Sequence, residues 1–217
     1  SLFFGWMGSW REVQMNIVKG FLTLDFCQFA EQYFITRFAS GKDIMYGDRQ
    51  AHRSMSIYGD AFTDTILKLS TDHVSTLVQK TLLPTYTYVR FYQKGDELEM
   101  HTDRSECEYS ATLCLSTPLD QPLSSLYFND KPTKSGADKI TLNRGDLCVY
   151  QGCDYYHWRE PIESDWLLQC FMHWVDASGP NKINTLDPIG ELLQITYGSF
   201  GCTTRDWFGW NSTLSDQ

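Results

Sequence analysis

The sequence lacks several features that would assign it to common classes of protein. Its 217 residues contain no run approaching the ~20 apolar residues that a membrane-spanning helix needs, so no membrane partner is expected. Basic residues are few, with 18 Lys and Arg against 27 Asp and Glu, and the net charge is −9. Because phosphate binding requires a basic face, this balance argues against duplex nucleic acid as the main partner. The first ten residues lack a basic segment and a long apolar run, so no signal peptide is expected there.

The seven cysteines do not follow a metal-binding pattern. No C-x-x-C pair occurs, so the spacing that is typical of structural zinc sites is absent. Their number is odd, and several lie in segments that we predict to be strands. We therefore interpret them as reduced thiols of a cytoplasmic protein, several of them buried.

The sequence does contain enough apolar material for a packed core, and its texture changes at Pro84. Hydrophobic residues make up 42% of the chain and aromatic residues 15%. Before Pro84, apolar spacing predicts helices over residues 24–39 and 61–82, with Thr23 or Asp25 capping the first and Pro84 ending the second. After Pro84, short aromatic and β-branched runs predict strands over residues 85–92, 110–116, 125–128, 140–142, 146–150 and 166–175.

Helices followed by short, regularly spaced strands indicate an α+β chain that is mainly β, with helices packed on a jelly roll. We expect one domain in three parts. An N-terminal arm (residues 1–16) and supporting helices occupy residues 1–82, with a polar, irregular segment over 43–60. A cupin-like double-stranded β-helix occupies residues 83–176. A C-terminal extension over residues 177–217 carries an aromatic cluster, Trp207-Phe208-Gly209-Trp210, which either packs on the core or forms an interface.

The stretch with the clearest chemical potential is His101-Thr102-Asp103, which follows a polar loop. Residues i and i+2 of an extended strand point to one face, so this imidazole and carboxylate would reach the same point in space. His157, about fifty residues on, would complete a three-ligand set with open positions. Two His and one carboxylate on one face of a metal is the arrangement of non-haem iron(II) oxygenases.

Each of these residues also has an ordinary interpretation. His101 could be a surface-loop residue, Asp103 a turn former, and His157 a hydrogen-bonded core residue among its aromatic neighbours. His173 lies on the last predicted strand and is the rival third ligand. The other two histidines of the chain are expected to have no special role.

Taken together, these motifs resemble the 2-oxoglutarate- and iron(II)-dependent dioxygenases, on their prolyl 4-hydroxylase-like branch. The similarity covers roughly residues 82–176. It rests on the run Arg90-Phe91-Tyr92-Gln93-Lys94-Gly95, on His101-Thr102-Asp103, and on the Asn143-Arg144-Gly145-Asp146 turn that leads to His157 and Pro161. The run G-D-x-x-x-Y-x-G-C followed by H-W-R-E-P is similar to phage and viral members, and implies a viral protein that acts in the host cytoplasm.

The resemblance implies a catalytic metal site formed by His101, Asp103 and His157. Iron(II) would take these three ligands, 2-oxoglutarate two further positions and O2 the last, with ascorbate as a reductant. The implied reaction is decarboxylation of 2-oxoglutarate to succinate and CO2, coupled to hydroxylation of a substrate. That substrate would be a peptidyl prolyl or other protein side chain, or alternatively a free amino acid or other small molecule. A non-catalytic, metal-binding jelly-roll protein is the alternative from a different class.

One position departs from the pattern of the family. Its members usually carry an Arg or Lys nine or ten residues after the distal His, where it binds the far carboxylate of 2-oxoglutarate. Those positions here hold Trp166 and Leu167, which carry no charge. This departure places the cosubstrate anchor in question and favours the non-catalytic alternative.

Arg159 is the candidate replacement for the missing anchor. It lies two residues after the distal His and would share its face on an extended strand, and a guanidinium can bind a carboxylate through two parallel hydrogen bonds. Tyr92 matches a tyrosine of the family's cosubstrate pocket, and Arg90, on the same face, is the reserve anchor. The ordinary alternative for Arg159 is an ion pair with Glu160 or Asp154.

Overall fold

The structure is a computed structural model that describes residues 15–185 of the chain. The predictions for most of the N-terminal arm and for the aromatic cluster of the C-terminal extension lie outside these residues. Within them the chain forms two α-helices, α1 (Leu24–Ser40) and α2 (Ala61–Val78), and two 3-10 helices, Ser105–Cys107 and Pro180–Thr185. Neither α-helix is long and apolar enough to cross a membrane.

Eleven strands complete the described part of the chain. They are β1 (Asn16–Val18), β2 (Met45–Tyr46), β3 (Met55–Tyr58), β4 (Leu82–Gln93), β5 (Leu98–His101), β6 (Tyr109–Ser116), β7 (Ser125–Asn129), β8 (Asp138–Thr141), β9 (Leu147–Tyr150), β10 (Tyr156–Arg159) and β11 (Trp166–Asp176). A seven-stranded sheet has the order β1-β9-β6-β11-β4-β3-β2, and a four-stranded sheet has the order β5-β10-β7-β8. Two antiparallel sheets with two flanking helices confirm the predicted mainly β, jelly-roll architecture.

The capping residues explain where the helices begin and end. Thr23 caps α1 as predicted, because its side-chain oxygen accepts a hydrogen bond from the Phe26 amide at 3.3 Å. The predicted end of α2 at Pro84 is wrong. Gln79 adopts a left-handed conformation with φ of 55° and ends the helix at Val78. Pro84 lies instead within β4, at an irregularity in its pairing with β11, where a residue without an amide hydrogen is tolerated.

The segment predicted to be irregular, residues 43–60, contributes the two short strands β2 and β3 to the edge of the large sheet. Tertiary pairing explains the difference, because β3 runs antiparallel along β4, with Met55 opposite Phe91 and Tyr58 opposite Tyr88. Neither strand has a strong apolar alternation that would signal it in isolation.

Alternation along β11 divides the interior into two cores. Leu168, Cys170 and Met172 belong to a core that the large sheet forms with the two helices. Leu167 and Phe171 belong to a second core that combines residues of both sheets. Because both faces of the strand are covered, its sequence is an almost continuous apolar run. The six described cysteines are free thiols, and five of them are buried.

The turn before β9 joins the segment that precedes α1 to the large sheet. Gly145 has φ of 80°, and it donates a hydrogen bond to the Cys114 carbonyl at 2.8 Å while accepting one from the Leu22 amide at 3.0 Å. A Cβ at this position would collide with the Leu22 carbonyl oxygen. The turn therefore needs glycine both for its backbone conformation and for the close approach of a second backbone.

We predict that Gly145→Ala lowers the free energy of unfolding by about 3 kcal/mol, which combines left-handed backbone strain with displacement of the Leu22 backbone. Gly136→Ala is the matched control. Gly136 has a similar φ of 73°, but no atom lies within 4 Å of the place that a Cβ would take, so we expect a loss of only about 1 kcal/mol. Urea unfolding of the three proteins measures both values, and equal losses would contradict the role of the Leu22 contact.

Candidate metal centre

Two neighbouring strands of the small sheet bring together two histidines that are distant in sequence. In the antiparallel pair of β5 and β10, His101 lies directly opposite His157. Their ring centroids are 4.3 Å apart. His157 is buried, and only 15% of the His101 side chain is exposed. The strand pairing therefore forms the core of a candidate site for a metal ion.

Backbone carbonyls orient both imidazole rings. His101 Nδ1 lies 2.7 Å from the Glu99 carbonyl oxygen, and His157 Nδ1 lies 3.0 Å from the Tyr155 carbonyl oxygen. A carbonyl only accepts, so each Nδ1 carries the hydrogen and donates it. In the neutral rings this leaves the Nε2 lone pairs available to a metal, the second-sphere arrangement that is common for metal-binding histidines.

Asp103 follows the end of β5 and completes the triad. Its amide donates to the Gly152 carbonyl at 2.9 Å, which anchors the backbone beside the start of β10. Its Oδ1 atom lies 3.5 Å from Nε2 of each histidine. The three ligand atoms all lie within 4.8 Å of one another. Since metal–ligand bonds are about 2 Å long, a single ion can contact all three atoms.

The charges of the triad are strongly coupled. Burial alone would raise the pKa of Asp103, but His157 and the hydrogen bonds from both histidines hold that pKa well below its usual value. Burial alone would lower the pKa of His157, but the charge of Asp103 outweighs it and raises that pKa. In the absence of a metal the site therefore favours a proton beside the carboxylate, and metal binding has to displace that proton.

His173, the rival third ligand, lies on the other side of Asp103. Its Nδ1 atom is 2.9 Å from Ser110 Oγ, which in turn donates to Asp103 Oδ2 at 2.8 Å. Burial lowers the pKa of His173 to about 4, so the ring is neutral at pH 7. His173 therefore lies on the Oδ2 side of the carboxylate, whereas His101 and His157 lie on its Oδ1 side.

Two residues of this arrangement carry no signal in the sequence. Ser110 is one serine among many, and only the folded chain brings it to Asp103. Gly152 is similarly inconspicuous, yet a Cβ there would collide with Asp103 Oδ2 and lie 2.5 Å from Ser110 Oγ. The run G-D-x-x-x-Y-x-G-C over residues 145–153 includes this glycine but gives no hint of the close approach, because the contacts are with β6 and the residues after β5.

The triad opens into a cavity of about 490 Å³. Its walls come from both sheets and include Tyr86, Tyr88, Arg90, Tyr150 and His173. A cavity of this size is in the range that accommodates small organic ligands. The site thus combines a metal-binding constellation with room for a further molecule.

Arg90 is buried in the cavity wall, but its charge is already compensated. Its Nη2 atom forms an ion pair with Asp48, which also accepts a hydrogen bond from the Tyr88 hydroxyl at 3.0 Å. Burial opposes ionisation of Asp48, yet Arg90 and the hydrogen bonds lower its pKa. A ligand carboxylate would have to compete with Asp48 for this guanidinium.

Arg159 is buried on the same strand as His157 and lacks such compensation. Its Nη2 atom donates to Gln169 Oε1 at 2.5 Å, while its Nε and Nη1 atoms have no hydrogen-bond partner among residues 15–185. The buried hydroxyl of Tyr92 also has none, and the guanidinium lies 5.5 Å from the centroid of that ring. Burial lowers the pKa of Arg159. An unpaired buried cation is costly, so this arrangement is suited to a bound anion.

The ordinary alternative for Arg159 does not account for its surroundings. Glu160 pairs instead with Lys134 at 2.8 Å and accepts from the Trp158 indole at 3.0 Å. The Nε and Nη1 atoms of Arg159, which have no partner, are likewise not bonded to Asp154. Two nitrogens of the guanidinium therefore lack a partner among residues 15–185, although the residues that line the cavity do not include Arg159 or Tyr92.

The family's usual anchor positions serve the two cores here. Trp166 stacks on Phe91 beside the core that the large sheet forms with the two helices, and Leu167 is buried in the second core between the sheets. The next residue on the face of Leu167 is Gln169, which contacts Arg159. The strand that carries the usual anchor positions, β11, therefore provides a hydrogen-bond partner for Arg159 but no charged side chain of its own at those positions.

The sequence matches no protein-family model and no curated protein. Solved structures do match the fold. A prolyl 4-hydroxylase from Pseudomonas putida is 15% identical with a TM-score of 0.60, over 76% of this chain and 93% of that one. A prolyl hydroxylase from Trichoplax adhaerens, in complex with a peptide fragment of hypoxia inducible factor, is 14% identical with a TM-score of 0.60, over 79% and 85%.

A viral collagen prolyl hydroxylase from Paramecium bursaria Chlorella virus-1, in complex with 2-oxoglutarate, is 14% identical with a TM-score of 0.54. The match covers 74% of this chain and 94% of that one. At these identities the likeness concerns the fold. The chain has the fold of the prolyl hydroxylases, the branch of the 2-oxoglutarate- and iron(II)-dependent dioxygenases that its sequence motifs resemble.

Proposed function

We propose that the protein is a 2-oxoglutarate- and iron(II)-dependent dioxygenase that hydroxylates an organic substrate, with His101, Asp103 and His157 as its metal ligands. The observation that carries this proposal is the geometry of the triad. Three ligand atoms lie within 4.8 Å of one another on the wall of a cavity, and both Nδ1 atoms are held by carbonyls. Two histidines and one carboxylate leave open positions, as non-haem iron(II) oxygenases require.

Iron(II), 2-oxoglutarate and O2 together supply the oxidation, in which a substrate C–H bond becomes C–OH while 2-oxoglutarate gives succinate and CO2. The chain provides orientation. The Glu99 and Tyr155 carbonyls hold the two imidazoles with Nε2 towards the ion, and the Gly152 carbonyl holds the backbone of Asp103.

The second part of the proposal concerns the cosubstrate. We assign the far carboxylate of 2-oxoglutarate to Arg159, with the hydroxyl of Tyr92 as a second donor. A carboxylate there would provide acceptors for the buried N–H and O–H groups that have none in the part of the chain that the structure describes. Arg90 remains the reserve, since it lines the cavity but is already paired with Asp48.

The leading substrate is a peptidyl prolyl or other protein side chain. Support comes from two structural neighbours that are prolyl hydroxylases, one of them in complex with a peptide. The exposed side chains of Met45 and Tyr58 line the cavity and offer apolar contacts to a longer chain. The volume of about 490 Å³ also favours a second candidate, the hydroxylation of a free amino acid or other small molecule.

The experiment that tests the function is a succinate-release assay with iron(II), ascorbate and 2-oxoglutarate against a panel of peptides and amino acids. Turnover that depends on both metal and cosubstrate supports the dioxygenase. Metal binding without any release of succinate, with or without added substrate, would instead favour a non-catalytic jelly-roll protein. Preference for peptides over amino acids decides between the two substrate classes.

We predict that Asp103→Ala abolishes iron-dependent succinate release and lowers metal affinity strongly, because the only anionic ligand of the triad is lost. The fold should persist, since Asp103 lies outside the strands. His52→Gln is the control, because His52 is exposed, pairs with Glu99 and does not line the cavity. Calorimetric titration with Mn(II) measures the metal affinity, and circular dichroism measures the retention of the fold. Full succinate release by Asp103→Ala would exclude the triad as the site.

We predict that Arg159→Ala weakens 2-oxoglutarate binding by ~2–5 kcal/mol, the usual cost of breaking a buried charge pair, or at least about 30-fold in Kd. Metal affinity should be unchanged. Arg159→Lys should recover part of the loss, because one ammonium cannot reproduce the planar fork. Tyr92→Phe should cost about tenfold through one charge-assisted hydrogen bond.

Arg90→Ala is the matched comparison for that assignment, since both guanidinium groups are buried and flank the same Tyr92 ring. Titration of 2-oxoglutarate into the Mn(II)-loaded variants measures the affinities. If only Arg90→Ala loses affinity, Arg90 is the anchor. If neither variant loses affinity, both anchor assignments are wrong and 2-oxoglutarate as the cosubstrate comes into question.

A further inference from the structure

The second oxygen of Asp103 belongs to a hydrogen-bonded chain whose direction can be derived. Ser110 Oγ lies 2.8 Å from Asp103 Oδ2 and 2.9 Å from His173 Nδ1. An ionised carboxylate and a backbone carbonyl both only accept, so Ser110 donates its hydroxyl hydrogen to Asp103 Oδ2, the nearer acceptor, rather than to the Cys107 carbonyl oxygen at 3.2 Å. The oxygen of Ser110 must then accept from Nδ1–H of His173. The chain therefore runs from His173 through Ser110 to Asp103.

We propose that Ser110 and His173 are positioning residues that make Asp103 a one-oxygen metal ligand. Ser110 occupies Oδ2, while Oδ1 faces Nε2 of both histidine ligands at 3.5 Å. A carboxylate with two free oxygens can chelate an ion through both and so use an additional coordination position. Occupying Oδ2 keeps that position available. This inference rests on the proposed metal site, but not on the identity of the substrate.

The packing around this chain leaves it little freedom. Ser110 is completely buried and His173 is 5% exposed, with its ring centroid 4.6 Å from that of Tyr86. The absence of a side chain at Gly152 provides the space in which Asp103 and Ser110 meet, since a Cβ there would collide with the carboxylate. Such a close fit fixes the rotamer of the carboxylate as well as its hydrogen bonds.

The same residues could be read as a second metal site, since Asp103, Cys107 and His173 also place ligand atoms within 4.8 Å of one another. The Ser110 hydroxyl argues against this, because it is bonded to both Oδ2 of Asp103 and Nδ1 of His173. The thiol of Cys107 also lies 3.0 Å from the Tyr86 hydroxyl. The hydrogen bonds that already engage these atoms favour the hydrogen-bonded chain.

The test uses metal-free full-length protein titrated with Mn(II), without cosubstrate. We expect Ser110→Ala and His173→Phe each to weaken Mn(II) binding about 10–100-fold, the usual effect of removing an outer-sphere partner of a metal ligand. His173→Asn should restore much of the affinity, because its amide can donate from near the position of Nδ1. In the Co(II)-loaded proteins, Ser110→Ala should change the visible absorption bands, which report on coordination.

Ser116→Ala is a closely matched control. Ser116 lies on the same strand β6, is completely buried, and donates to a carboxylate of its own, Glu31, at 2.5 Å. The Ser116→Ala variant should lose thermal stability, as Ser110→Ala does. It should keep the Mn(II) affinity and the Co(II) spectrum of the unmodified protein. Thermal unfolding of the metal-free proteins separates loss of fold from loss of metal.

The double variant Ser110→Ala, His173→Phe distinguishes a chain from two independent contributions. Since His173 acts only through Ser110, the double variant should bind Mn(II) within about twofold of Ser110→Ala. Additive losses, or an affinity of Ser110→Ala equal to that of Ser116→Ala, would overturn the proposal while leaving the metal site intact. If the unmodified protein binds no Mn(II), the proposed function fails and this inference fails with it.

Discussion

The pairing of β5 with β10 is the constraint on which the site depends. It sets His101 opposite His157 and, past an irregularity in the pairing, Arg159 opposite Leu98. A slip of one residue would turn the side chain of His157 to the opposite face, because successive residues of a strand alternate. The register is held from the other side as well, where Trp158 stacks on Tyr127 of β7 at 5.6 Å. One strand register therefore governs both the metal site and the charge beside it.

Two buried guanidinium groups flank the ring of Tyr92, and their different surroundings suggest different roles. Arg90 has a carboxylate partner in Asp48, which belongs to the loop before β3 and fixes that loop to the cavity wall. Arg159 has only the neutral amide of Gln169 and the face of Tyr92. The protein bears the cost of one uncompensated cation in a largely apolar core, which is a state that a bound anion would relieve.

The features that can be predicted from the sequence are local or periodic. The H-x-D spacing predicts a shared face from the strand repeat alone, and the aromatic and β-branched runs after Pro84 predict most of the strands. The roles of Ser110, Gly152 and Gln169 cannot be predicted in this way, because they arise from contacts between segments that lie far apart in the chain. The same holds for the short strands β2 and β3, since pairing with β4 rather than their own composition makes them strands.

The proposed assignment of the anchor to Arg159 changes which part of the fold would set its distance from the metal. The family's usual position falls at the start of β11, in the large sheet, whereas Arg159 and His157 lie on one strand of the small sheet. Two residues along a strand span about 6.6 Å, so the backbone of β10 itself fixes the separation of the two side chains' attachment points. Gln169 of the large sheet then reaches across the core to hold the guanidinium. In this assignment β10 sets the distance between the metal and the bound anion, and the large sheet only holds the guanidinium of Arg159 in place.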